Sequence, residues 1–234
     1  MDAFKVDNWL ATAQRWLFAP RCLLCGERGA NGRDLCGNCT EMLPWSGDAC
    51  RHCAIPLAES GVCGACLQTP PPVSQTHAAF VYGFPLDRLV PRFKFHRDLA
   101  AGRLMAGLMA QALAAAPRPQ ALMPVPLHAA RLRQRGYDQA LELAKPLARA
   151  LALPLMADAL LRTRATAAQS ELDAAARRRN LRGAFAVRAQ AQLPDHVALI
   201  DDVMTTGATL HAAAKVLRRA GVARVDAWVC ARVP

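Results

Sequence analysis

From residue 73 onward the chain alternates between two hydrophobic rhythms. Short continuous apolar runs are separated by longer stretches in which apolar residues recur every three or four positions. The first kind reads as buried strand and the second as amphipathic helix. Strands are expected at Ala78–Tyr82, Ala121–Pro126, Ala159–Leu161, Ala184–Val187, Val197–Ile200 and Arg224–Cys230. Helices are expected across Leu86–Ala116 with a break around Pro91, across Tyr137–Leu151, which must accommodate Pro146, and across Ala208–Ala220, ended by Gly221. Strands alternating with helices predict a parallel sheet covered by helices on both faces, with ligands bound at the carboxyl ends of the strands.

Before residue 73 the rhythm fades. Residues Val6 to Phe18 form a short apolar helix candidate, with Trp9, Leu10, Leu17 and Phe18 available for burial. A cysteine-bearing stretch rich in turn residues then runs to Cys66, and Pro70-Pro71-Pro72 reads as a stiff linker. The chain is therefore expected to divide into an N-terminal helix (1–19), a cysteine-rich unit (20–69) and an α/β domain (73–234).

Composition sharpens this division. The 234 residues are 53% hydrophobic, enough for a full core. The longest apolar candidate, Ala100 to Ala116, is interrupted by Arg103 and Gln111 and reads as a helix, not a membrane span. Asp2, Lys5 and Asp7 do not form a signal-peptide pattern, so a cytoplasmic location is expected. Eight of the nine cysteines fall in Cys-x-x-Cys pairs: Cys22/Cys25, Cys36/Cys39, Cys50/Cys53 and Cys63/Cys66. Two such knuckles complete a tetrahedral zinc shell. Sequential pairing, with the first four cysteines on one zinc ion and the last four on another, is the simpler arrangement; crossed pairing has the same spacing. Too little apolar surface surrounds these cysteines to offset chain entropy, so metal is expected to drive their folding. Cys230, in an apolar terminal strand, reads as a core residue.

The formal charge of +11 is unevenly placed. Residues 1–72 hold six basic and seven acidic side chains, and residues 73–234 hold 23 basic and 11 acidic ones. Two thiolate-bound zinc sites would take the first region to about −5. The basic surface belongs to the second domain, where it suits an anionic ligand, nucleic acid or both. The acidic cysteine unit lacks both the cations that grip a nucleic-acid backbone and the clustered aromatics that stack on bases, so a structural or protein-binding role is expected for it.

The densest chemistry lies in Leu199-Ile200-Asp201-Asp202-Val203-Met204-Thr205-Thr206-Gly207-Ala208-Thr209-Leu210. An apolar strand leads into two adjacent carboxylates, then into a hydroxyl- and glycine-rich loop that opens a helix. Helix N-termini present N–H groups to a phosphate, and paired carboxylates suit sugar hydroxyls or a bridging metal ion. A ribose phosphate satisfies both. The segment closely resembles the 5-phosphoribosyl-1-pyrophosphate (PRPP) signature of type I phosphoribosyltransferases. That resemblance implies Asp201 and Asp202 on the ribose hydroxyls and the loop Thr205, Thr206, Gly207, Ala208 and Thr209 around the 5-phosphate. Ala208 stands where many transferases have Gly or Ser.

A second segment, Pro124 to Gln139, also follows a strand and precedes a helix. Arg131, Arg133 and Arg135 alternate, so an extended loop would place them on one side, facing a pyrophosphate or a nucleic-acid backbone. His128 reads as a cap or packing residue. A third segment carries Arg162, Arg164, Thr166, Gln169 and the run Arg177-Arg178-Arg179-Asn180; a long loop here reads as a lid or binding loop.

In order, the cysteine pairs, Phe93-Lys94-Phe95, Val125-Pro126-Leu127, Arg135-Gly136-Tyr137-Asp138-Gln139, Arg162-Thr163-Arg164, Arg179-Asn180 and Asp201-Asp202-Val203 resemble the ComF/GntX family of competence and DNA-utilization proteins. The likeness runs from Cys22 to the end of the chain. It implies a double zinc ribbon before a type I phosphoribosyltransferase-like domain, PRPP binding with Mg²⁺, and a role in uptake of single-stranded DNA beside a cytoplasmic helicase-type protein. The family pattern also leaves an alternative: an active phosphoribosyltransferase with Asp201 and Asp202 at the reacting sugar and an unidentified acceptor.

Overall fold

The computed structural model describes residues 20–164 and 183–234. The expected N-terminal helix, and Thr166, Gln169 and Arg177 to Asn180, lie outside those residues. In chain order the elements are α1 (Gly37–Glu41), α2 (Gly64–Gln68), β1 (Thr76–Val81), α3 (Leu86–Phe95), α4 (Leu99–Leu113), β2 (Ala121–Pro124), α5 (Ala129–Arg135), α6 (Gln139–Leu151), β3 (Leu160–Arg162), β4 (Phe185–Val187), β5 (His196–Met204), α7 (Ala208–Arg219) and β6 (Arg224–Arg232).

Four strands form one parallel sheet in the order β1-β6-β5-β2, with Thr76 opposite Ala227, Ile200 opposite Trp228 and Ala121 opposite Val197. The continuous apolar run of β5 follows from its central position. Ala198 and Ile200 face a core with Phe80, Leu122, Trp228 and Cys230, while Val197 and Leu199 face a second core with Met123, Val225 and Val229. Alternate side chains of a strand point to opposite faces, so burial on both sides removes the polar positions. Helices α4 and α6 pack together over the first face, and α7 covers the second. This is the expected α/β architecture with helices on both faces. The short strands β3 and β4 form a separate antiparallel pair among the described residues and join the α7 side.

The expected helical break at Pro91 lies elsewhere. Pro91 sits inside α3, and the chain turns at His96 to Asp98, where Arg97 takes φ +56°. Asp98 fixes the turn by accepting a hydrogen bond from the Ala101 N–H at 3.0 Å and by pairing with Arg92 at 2.7 Å. Gly102 then admits the Phe93 ring against α4, because a Cβ there would lie 2.4 Å from a ring carbon. That close approach seats the end of α3, which carries Lys94 and Phe95.

The cysteine-rich unit docks on the edge strand β1. Trp45 bridges Phe80, with Ser46 N–H donating to Ala79 and Val81 N–H to Pro44, at 2.9 and 2.8 Å. Arg92 donates to the Leu23 carbonyl. At the other end Thr76 donates to the His52 carbonyl at 2.7 Å. Buried Arg232 donates from Nε to the Cys53 carbonyl at 2.8 Å and from Nη1 to the Met204 carbonyl at 3.4 Å. One guanidinium thus ties the second cysteine cluster to the strand end that enters the glycine-rich loop.

Candidate functional site

The cysteines gather into two groups, Cys22, Cys25, Cys36 and Cys39, and Cys50, Cys53, Cys63 and Cys66, with the sulfurs of each group within 4.8 Å of one another. Sequential pairing is therefore the one adopted. The Cys25–Cys36 and Cys53–Cys63 sulfur separations are 3.6 and 3.7 Å. A disulfide needs about 2.05 Å, whereas four sulfurs about 2.3 Å from a central zinc ion stand about 3.8 Å apart. Backbone N–H groups of Cys39 and Cys63 donate to the sulfurs of Cys36 and Cys50 at 3.4 and 3.3 Å. Burial raises the thiol pKa of Cys22 and Cys50, but backbone hydrogen bonds outweigh it and bring both down to about 6. The residues fit two structural zinc ions, each adding closed coordination and no open catalytic position.

At the carboxyl end of β5, Asp202 and Asp201 sit at a cleft of about 570 Å³. Asp202 Oδ1 accepts from the Val203 N–H at 2.6 Å and from Lys94 Nζ at 3.0 Å. Asp201 Oδ1 accepts from the Asp202 N–H at 2.9 Å. Burial pushes the Asp201 carboxyl up to about 7; the Asp202 charge adds to the rise, and the Asp202 N–H and Lys94 oppose it. Adjacent carboxylates of this kind fit Mg²⁺, which binds through one or two carboxylates and the phosphates of its ligand.

The raised Asp201 pKa carries a sign. Between the unfolded value near 4 and the folded value near 7, the native state holds the extra proton, so this group's contribution makes stability fall as pH rises. An Asp201→Asn variant is therefore expected to gain stability relative to the parent between pH 4 and pH 7. Paired thermal melts across that range check it; a constant difference would contradict it.

The loop beyond β5 turns through Gly207 at φ +72°, where a Cβ would meet the Met204 side chain at 2.5 Å and His211 at 3.0 Å. Only glycine accepts both the left-handed conformation and the close approach. Thr205 and Thr206 are exposed, Ala208 N–H lies 3.4 Å from Thr206 Oγ1, and α7 begins immediately. The first N–H groups of α7 and the threonine hydroxyls thus surround a turn open to an anion. Thr209 lines the cleft itself.

The arginine segment differs from expectation. Residues Ala129 to Arg135 are helix α5, capped by His128, whose Nδ1 accepts from the Ala130 N–H at 3.2 Å, and closed by left-handed Gly136. An alternation that aligns three residues in extended chain separates them in a helix. At about 100° per residue, Arg131 and Arg135 share a face and Arg133 points away. Arg131 and Arg135 accordingly line the cleft, and Arg133 does not. Asp138 anchors the segment at both ends, accepting from Leu127 N–H at 2.7 Å and from Leu141 N–H at 3.1 Å as the cap of α6. An Asp immediately before a helical pattern signals that cap; its grip on Leu127 has no sequence signal. Arg162 also lines the cleft, with its guanidinium 5.4 Å from the centroid of the Phe185 ring.

The sequence has relatives among known proteins. The model of a double zinc ribbon domain matches residues 13–67. The chain is 35% identical over 219 residues to the DNA utilization protein YhgH of Escherichia coli O157:H7, covering 90% of this chain and 96% of that protein. It is 36% identical over 222 residues to competence protein F of Haemophilus influenzae, covering 91% and 96%. It is 35% identical over 205 residues to the YhgH protein of Salmonella typhimurium, covering 85% and 90%.

Proposed function

The chain belongs to the ComF/GntX family, and from that premise we propose that it binds Mg²⁺-PRPP, or a related phosphorylated ribose, in the β5 cleft while acting in DNA utilization. The observation that carries the reading is one cleft lined by Asp201, Asp202, Thr209, Arg131 and Arg135, with the Gly207 turn at the start of α7 next to it in the chain; Thr205, Thr206, Gly207 and Ala208 do not themselves line that cleft. In this reading Asp201 and Asp202 hold the ribose hydroxyls. Thr205, Thr206, Gly207, Ala208 and Thr209 hold the 5-phosphate, and Arg131 and Arg135 hold the pyrophosphate. DNA binding belongs to the same basic domain, and the zinc ribbons serve as structure and as a protein-docking surface for a helicase-type partner. Among the described residues no helix is long and apolar enough to cross a membrane.

The arginine geometry supplies the test. Changing Arg131 and Arg135 together to Gln is expected to weaken single-stranded DNA binding and PRPP binding alike, while Arg133→Gln leaves PRPP binding unchanged. For DNA, each phosphate that is no longer neutralised reduces the slope of log K against log salt by about 0.7, so the slope of the double variant falls by about 1.4. The variants belong in the full chain, because the ribbon and β1 share hydrogen bonds. Equal binding by the double variant and the parent would refute the assignment.

A second reading is a working transferase. The adjacent carboxylate pair favours it, since cleavage at C1 of PRPP develops positive charge on the sugar that Asp201 and Asp202 would stabilise. Pyrophosphate release with a panel of nucleobases, absent in the Asp201→Asn, Asp202→Asn double variant, would establish turnover. PRPP binding without release keeps the site as a ligand-sensing module.

A further inference from the structure

A sugar pyrophosphate uses the carboxylates, the helix N-terminus and the arginines of the cleft, but it has no use for an exposed phenyl ring. Phe95 supplies one. Two residues apart on α3, Phe93 is fully buried against Tyr137 and Gly102, whereas Phe95 is 68% exposed and lines the cleft. The Arg135 guanidinium sits over its ring at 5.6 Å from the centroid. Arg97, at the left-handed turn just beyond α3, and Arg131 line the same cleft. A large aromatic side chain left open to water beside one guanidinium group, in a cleft lined by two more, answers two features at once: a flat apolar face and nearby negative charge.

We propose that Phe95 and Arg135 form a stacking shelf for one unpaired base of single-stranded DNA, with the adjoining phosphates held by Arg97 and Arg131. The chemistry selects this occupant. An aromatic ring stacks on any base face, and arginine adds both cation–π attraction and backbone neutralisation. A duplex keeps its bases stacked on one another and offers no such face. An acidic peptide would satisfy the arginines and leave the ring unused. The assignment rests on the DNA-handling reading given above; because Arg131 and Arg135 belong to the same cleft as the Asp201–Asp202 pair, strand and ribose phosphate are alternative occupants that compete for these two guanidinium groups.

The test uses the zinc-loaded full chain and a fluorescently labelled oligothymidylate, followed by anisotropy. Phe95→Ala is expected to weaken binding about fivefold to a hundredfold, the range for removal of one base–aromatic stack. Phe95→Trp is expected to retain affinity, with its own emission quenched on binding. Calorimetry with Mg²⁺-PRPP is expected to give the same affinity for Phe95→Ala as for the parent. Failure of PRPP to bind the parent, with the Phe95 dependence intact, would count against the cleft's ribose-phosphate reading and leave the shelf standing. Oligonucleotide affinity unchanged in Phe95→Ala would overturn the shelf. A free thymidylate that binds as tightly as the oligonucleotide, with the same Phe95 dependence, would reassign the shelf to mononucleotides and overturn its assignment to a strand.

Discussion

Removing zinc with a chelator is expected to unfold the ribbon unit and to destabilise the whole chain. Apart from cysteines and Ala54, the buried apolar side chains of residues 20–69 are Leu35 and Leu43. At about 2 to 3 kcal/mol each, these cannot offset the ordering of so many residues. Two metal sites can, since a structural zinc ion contributes on the order of 10 kcal/mol of apparent folding free energy in small domains. The loss spreads inward. Without the knuckle carrying the Cys53 carbonyl, buried Arg232 loses its 2.8 Å partner and keeps only the longer bond to Met204. A half-satisfied buried charge costs roughly 1 to 3 kcal/mol or more, and it lies at the entry to the phosphate loop. Metal analysis is expected to find two zinc ions per chain. Stripping them, or substituting Cys50→Ser, is expected to lower the melting temperature by on the order of 10 °C and to weaken PRPP binding. Unchanged melts after metal removal would refute this role.

The second large effect is expected at the carboxylate pair. In the Asp201→Asn, Asp202→Asn double variant both side chains keep their shape but lose the charge that a sugar hydroxyl or Mg²⁺ requires. Hydrogen bonds to charged groups contribute about 1.5 to 3 kcal/mol each, so two of them correspond to a loss in affinity of roughly a hundredfold to ten-thousandfold. Lys94, mostly buried beside Asp202 at 3.0 Å, would lose the charge of its partner but keep the new amide oxygen at that position as an acceptor. Relief of the strained ionisation at Asp201 opposes that loss. The fold is therefore expected to survive while binding disappears, which circular dichroism and melting curves run beside the binding assay would verify.

How legible each part is in the sequence depends on the range of the interaction that fixes it. β5 and α7 are plain, because burial on both faces of one and the 3.6-residue stripe of the other are written in consecutive residues. The four knuckles are equally plain from their spacing. The partition into two clusters comes from the fold, because a crossed pairing has the same intervals. The break in the first long helix falls away from its expected place because the cap outweighs the proline: Asp98, with Arg92 and left-handed Arg97, sets the turn, and Pro91 is tolerated within α3. Arg131, Arg133 and Arg135 stand out in the sequence, but an alternation aligns side chains only in extended chain, and α5 separates them. The interactions that complete the site are beyond local reading. Lys94 meets Asp202, Asp138 holds Leu127, and Arg232 joins Cys53 to Met204, each across elements that only the topology brings together.

Titration of Mg²⁺-PRPP into the zinc-loaded full chain, followed by calorimetry near pH 7 in two buffers of different ionisation enthalpy, bears most directly on the central claim. One ligand per chain is expected, with a proton released on binding because the Asp201 carboxyl is held up to about 7 in the free protein and must ionise against its ligand. Both the heat and the proton release should vanish in the Asp201→Asn, Asp202→Asn variant. An absence of binding by the parent chain, or binding that persists in that variant, would contradict the assignment of this cleft to a ribose phosphate.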